Sequence, residues 1–185
     1  MRRLLFPAIA AAALAVRAET INLHDHGRLS LFAPEGWKVT VDDNLDVGCN
    51  ITIEPRGEAN ASCKISIVYP EEDRLDTKEK LRAEVVRIGR EQYAGSSVER
   101  RASAREFFVK HGYGYYCNFT DRDLVGRPPE KGNFKVVSSG AIHLAHDVLL
   151  VVTIFADDFK GEDYQTLLGI VEGLELVGAR DYGRV

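Results

Sequence analysis

Two histidine motifs, His24-Asp25-His26 and His143-Leu144-Ala145-His146-Asp147, contain the residue types that hold zinc or copper. Alternate residues of a strand share a face, so His-x-His sets two imidazoles side by side. A hairpin turn could likewise join His143 to His146, with Asp147 as a third ligand. The plainer reading places His24 and His26 in a polar N-terminal lead and His146 on an exposed turn, and on that reading no residue is assigned to a metal. Cys49 and Cys63 stand equidistant from Arg56, inside the turn-like segment Pro55-Arg56-Gly57-Glu58-Ala59-Asn60. A hairpin centred on Arg56 predicts a Cys49–Cys63 disulfide, which closes a 15-residue loop and adds about 3 kcal/mol in the chain-entropy account. Cys117 is then left over as a small buried apolar residue.

Other reactive groups lack partners in suitable places. Nucleophilic catalysis needs a nucleophile, a base and an orienting group in contact. Gly-x-Ser-x-Gly is absent, Ser138-Ser139-Gly140 falls inside a predicted strand, and Cys117 and His111 flank ordinary strand positions. The acid pairs Asp42-Asp43, Glu71-Glu72-Asp73 and Asp157-Asp158 fall in turns, where carboxylates solvate or cap. Asp157-Asp158 stands just before a predicted helix, whose N-terminus favours negative charge. No glycine loop is spaced to cradle phosphate. Catalytic residues: none; cofactor: none. Among the aromatic residues Phe107, Phe108, Tyr113, Tyr115, Tyr116 and Phe119, strand alternation sends Tyr113 and Tyr115 to one face and Tyr116 to the other. This predicts core or cross-strand packing, with a contact surface as the alternative if one face is open.

Met1-Arg2-Arg3 is followed by an apolar stretch from Leu4 to Val16, 13 residues long, too short for a helix to cross a bilayer core of about 30 Å. Val16 and Ala18 provide small side chains at the −3 and −1 positions of a cleavage site, so residues 1–18 read as a signal peptide. No cysteine follows the cut for lipidation, and no stable membrane anchor is expected after processing. The compartment implied is the periplasm or the exterior, where disulfides persist. Removing Arg2, Arg3 and Arg17 lowers the 24 basic residues to 21 against 28 acidic ones, a formal charge of −7. Such a surface repels phosphate backbones, so no nucleic-acid partner is expected. The densest basic run, Arg100-Arg101 with Arg105 and Lys110, is interrupted by Glu99 and Glu106 and reads as a solvated strand face. The sequons at Asn50, Asn60 and Asn118 have meaning only in a eukaryotic secretory route.

The elements that would position these residues follow in order. Arg28 to Ala33 alternates as a strand, Pro34-Glu35-Gly36 turns, and Trp37, Val39 and Val41 share one face of the next strand. Residues 47–54 and 62–69 form a hairpin. Asp76 to Tyr93 is a helix, with Asp76 as cap, Glu79 answering it, and Leu81, Val85 and Ile88 on one stripe. Strands at 98–110 and 112–120, a Gly/Pro loop at 121–132, and strands at 133–144 and 148–156 come next. The last strand is nearly all apolar, which predicts a central place covered on both faces. A helix over about 161–172 and a short strand at Leu174-Glu175-Leu176 close the chain. Hairpins interrupted by two helices define an α+β class: one antiparallel sheet of about six to eight strands with two main helices on it, in a single domain spanning 19–185.

Four segments resemble the PsbP-like superfamily, which includes DcrB-like and Ran-binding-protein-like domains. They are Leu31-Phe32-Ala33-Pro34-Glu35-Gly36-Trp37; Tyr113 to Thr120; Ser139-Gly140-Ala141-Ile142 with the apolar strand 148–155; and Ala156-Asp157-Asp158 leading into the last helix. The resemblance implies an α+β domain that is not an enzyme and presents a surface to a protein partner. It transfers no particular partner and no binding residue. The function expected is that of an exported, non-enzymatic, periplasmic protein-binding or accessory module. The alternatives are a histidine-based metal-binding protein and a small-ligand carrier with an apolar pocket between helix 76–93 and the sheet.

Overall fold

The computed structural model describes residues 16–44, 48–70 and 75–178. Most of the leader and Glu71-Glu72-Asp73 lie outside the described residues. Strands β1 (Val16–Asn22), β2 (Arg28–Pro34) and β10 (Glu175–Val177) form a small antiparallel sheet in the order β1-β2-β10. The other seven are β3 (Trp37–Asn44), β4 (Gly48–Pro55), β5 (Ser62–Val68), β6 (Ala104–Phe107), β7 (Tyr113–Thr120), β8 (Val136–Ala145) and β9 (Val148–Ala156). They form one antiparallel sheet in the order β3-β4-β5-β9-β8-β7-β6. Helices α1 (Lys78–Gln92) and α2 (Glu162–Glu172) complete the α+β architecture.

The period-2 pattern decides which face each side chain takes. Ile51, Ile53, Cys63, Ile65, Leu150, Val152 and Ile154 stand opposite one another across β4, β5 and β9 and are buried. Leu29 and Leu31 of the small sheet and Leu167 and Val171 of α2 cover them. On the reverse face, Leu81 and Val85 of α1 pack over Cys117, Phe119 and Ala141. The main sheet is therefore sandwiched, with α1 on one side and the small sheet plus α2 on the other.

Several expectations change on contact with the fold. The polar lead before Arg28 contains β1, whose residues Glu19 to Asn22 pair with Leu31 to Arg28. The long strand expected over 98–110 shrinks to Ala104–Phe107. Arg100 has φ +53°, a left-handed conformation that ends a ladder. Glu99 meanwhile binds the backbone N–H and hydroxyl of Thr120 at 2.8 Å each. Helix α1 is capped by Thr77, whose hydroxyl accepts from the Lys80 N–H, while Asp76 takes the Lys80 ammonium at 2.6 Å. Strand β9 is central, but Val151 on its reverse face is exposed because α1 lies over β7 and β8.

The predicted Cys49–Cys63 disulfide is not formed, and all three cysteines are free and buried. Cys63 stands opposite Ile53, four residues along β4 from Cys49. At about 3.3 Å per residue that offset is roughly 13 Å, beyond any disulfide's Cα span. The hairpin centre lies near Glu58 instead of Arg56. A turn displaced by two residues moves every cross-strand partner by four.

Candidate functional site

The two histidine motifs meet, but not as a metal cage. The turn between β1 and β2 is a short 3-10 segment, His24–His26, and the turn between β8 and β9 contains His146 and Asp147. His26 Nδ1 lies 2.6 Å from Asp147 Oδ2, and its ring stacks on Tyr69 at 4.0 Å and 15°. His24 stands 3.9 Å from Asp43. His143 points to the other face of the sheet and stacks on Tyr113 at 5.0 Å and 2°. Among the described residues, no group of three or more His, Cys, Asp or Glu is placed to hold a metal ion. The His26–Asp147 contact instead fastens the small sheet to the main one.

Burial sets the electrostatics at this end of the molecule. It pushes the Cys49 thiol up, with the Asp43 and Asp42 carboxylates adding to the shift. Burial raises Tyr69 as well, reinforced by Cys49, Asp43 and Asp147. His143 is lowered by burial and by His146, against the opposing pull of Asp76 and Asp147. A thiol and phenol held protonated are poor nucleophiles, so this cluster favours packing over covalent chemistry.

The remaining reactive candidates are engaged in structure. Cys117 is buried under α1 with its thiol raised by that burial, while His111 is exposed in the β6–β7 connection. Ser138 bonds Asn118 Oδ1 at 2.6 Å and the Tyr164 hydroxyl at 2.7 Å, a buried network that pins α2 to the sheet. Burial pushes that phenol up to about 12. Asn60 is a hub: its amide donates to the carbonyls of Glu130 and Asn133 and to Asp157, and its oxygen accepts from the Gly132 N–H. Asp158 accepts from the Lys160 N–H, in the turn before α2. Tyr115 packs toward α1, and Tyr116 is buried against Phe107 with ring centres 4.5 Å apart. The tyrosine strand is therefore buried on the Tyr116 face and half-covered on the face of Tyr113 and Tyr115. Between α1 and the sheet, the apolar cavity lined by Leu81, Val85, Ile88 and Leu149 is about 110 Å³, and a more polar groove lined by Lys78, Glu79, Arg82 and Tyr115 is about 510 Å³.

Sequence reasoning placed the most conspicuous surface group in an aromatic cluster expected to pack, with a contact surface as the alternative. Phe108, just after β6, is 81% exposed. Its position is braced: its own N–H donates to Glu172 at 3.0 Å, and Lys110 two residues on pairs with Glu175 at 2.9 Å. Gly112 closes the same connection with φ +79°, where a Cβ would collide with the His143 carbonyl oxygen. The Phe107-Phe108 doublet was the available signal: on a strand, one of two adjacent aromatics must face away from the core.

These features define a class: an α+β scaffold with an antiparallel sheet, helices on both sides and an ordered aromatic at one sheet edge. The chain has the PsbP-like fold. PsbP (CyanoP) from Synechocystis sp. PCC 6803 superimposes with a TM-score of 0.53 at 10% identity, covering 93% of this chain and 98% of that one. The Ran-binding protein Mog1p of Saccharomyces cerevisiae gives a TM-score of 0.47 at 15% identity, covering 88% and 97%. No family model matches the chain, and no curated protein matches it in sequence.

Proposed function

We propose that the protein is an exported, non-enzymatic accessory module that binds another protein through the β6 edge and the connection after it. One observation carries this reading: a large aromatic side chain held out in solvent by fixed backbone and ion-pair contacts at Phe108. Aromatic anchors dominate protein interfaces because they exclude water over a large area at low entropic cost. The leader supports export to the periplasm, and processing after Ala18 is compatible with the small sheet. Glu19 to Asn22 would keep their pairing with β2.

Mild cross-linking in intact cells, followed by purification under native conditions, tests the reading. The expected result is a mature chain beginning at Glu19 and one protein that rebinds when both components are pure. Recovery of the unprocessed chain from the cytosol would contradict the export half. Failure of every cross-linked protein to rebind would contradict the binding half.

A further inference from the structure

The bond that processing would cut lies inside a strand. Hydrolysis of Ala18–Glu19 adds one water and leaves a carboxylate on Ala18 and an amine on Glu19, so both residues must enter a peptidase cleft. In the fold both belong to β1, where Ala18 pairs with Phe32, Glu19 with Leu31, and Val16 at the −3 position with Pro34. The Arg17 guanidinium spans the bond to reach the Glu19 carboxylate at 2.9 Å. An extended substrate is held in a cleft through its own N–H and C=O groups, and those of β1 that face β2 are already engaged. Only Thr20 separates the bond from Ile21, which is buried in the core with Leu23. The turn beyond is fixed by the 2.6 Å contact of His26 with Asp147.

None of these restraints exists before the small sheet closes, and closure needs the far end of the chain. Strand β2 takes β1 on one edge and β10 on the other, with Glu175 opposite Ser30 and Val177 opposite Arg28. A two-stranded hairpin by itself is marginal in water, so β1 and β2 gain a lasting partnership only once β10 and the core have arrived. A chain threaded N-terminus first presents Ala18–Glu19 while residues 175–177 are still on the other side.

Resting on the export reading above, we infer that residues 1–18 are removed before the small sheet closes, from a chain that crosses the membrane unfolded, and that folding locks any precursor that escapes the cut. The test uses the full-length precursor, made by cell-free synthesis and folded in detergent micelles, beside a peptide of residues 4–24 that contains the site without β2. Each is incubated with a purified signal peptidase and followed by intact mass. Expected is a cut before Glu19 in both, at least about tenfold slower in the folded precursor. Ile21→Asp places a charge in the core and leaves residues 16–19 untouched, so it should bring the precursor toward the rate of the peptide. A second measurement needs neither the peptidase nor that variant. Amide exchange at Phe32 or Ala33, whichever N–H points at β1, should be slower in the precursor than in a chain beginning at Glu19. Equal cleavage of precursor and peptide, or equal exchange at both Phe32 and Ala33, would overturn the inference and leave the export reading standing. If the peptidase cuts neither, the export reading itself fails and the inference goes with it.

Discussion

His143 shows how one side chain can report on its surroundings. Burial and the nearby His146 lower its pKa below the ordinary 6.5, so the folded chain holds its proton less tightly than the unfolded one. The stability contributed by the neutral ring is complete above about pH 6.5 and declines as pH falls through the folded value. His143→Phe keeps a ring against Tyr113 and removes that titration. Its urea midpoint should therefore fall less than the parent's between about pH 7 and pH 5, and an equal fall in both would contradict the assignment. Asn60 makes a different kind of prediction. Three of its four hydrogen bonds tie the 130–133 loop to the β4–β5 hairpin and the fourth reaches Asp157, so Asn60→Ala should cost about 1–3 kcal/mol through the groups left unpaired. A denaturation midpoint within error of the parent would show that the loop is held otherwise. Asn60 was hard to read from sequence because a hydrogen-bond hub depends on what lies across a gap of many residues, whereas for Phe108 the adjacent Phe107 was a local signal that one of the two rings faces away from the core.

At the scale of elements, the apolar repeats were legible because burial imposes them. The stripe Leu81, Val85, Ile88 gave α1, the run 148–155 gave β9, and the hairpin order gave the α+β class. What failed was register and termination. The β4–β5 turn centre sits two residues beyond Arg56, enough to carry Cys63 away from Cys49. Strand β6 starts late because Arg100 takes a left-handed conformation and Glu99 is drawn to Thr120, neither of which has a signature in residue type. β1 was passed over because three of its four residues beyond Ala18 are polar, with no period-2 pattern, and pair with only one neighbour. A thiol measurement checks the register directly. Reductant should leave the urea midpoint unchanged, and the three buried cysteines should react with a thiol reagent only on unfolding. A reductant-dependent loss near the 3 kcal/mol expected of a bridged loop would contradict it.

Over the whole molecule, the two ends of the main sheet differ in kind. At one end the His26–Asp147 contact and the Tyr69 stack lock the small sheet in place. At the other, β6 is the last strand among the described residues, beside a braced, exposed phenylalanine. The candidate histidine site visible in sequence thus became a structural fastening, and the exposed ring lies in the aromatic cluster for which a contact surface was the alternative expectation. The proposed binding of a protein at the β6 edge is the physical core of the account. It is tested most directly by hydrogen–deuterium exchange on the purified complex with its cross-linked partner. Amides of Ala104 to Lys110 should slow on binding while those of Thr52 and Lys64, on the open reverse face, stay as in the free protein. Slowing at Thr52 and Lys64 with no change across Ala104 to Lys110 would contradict it.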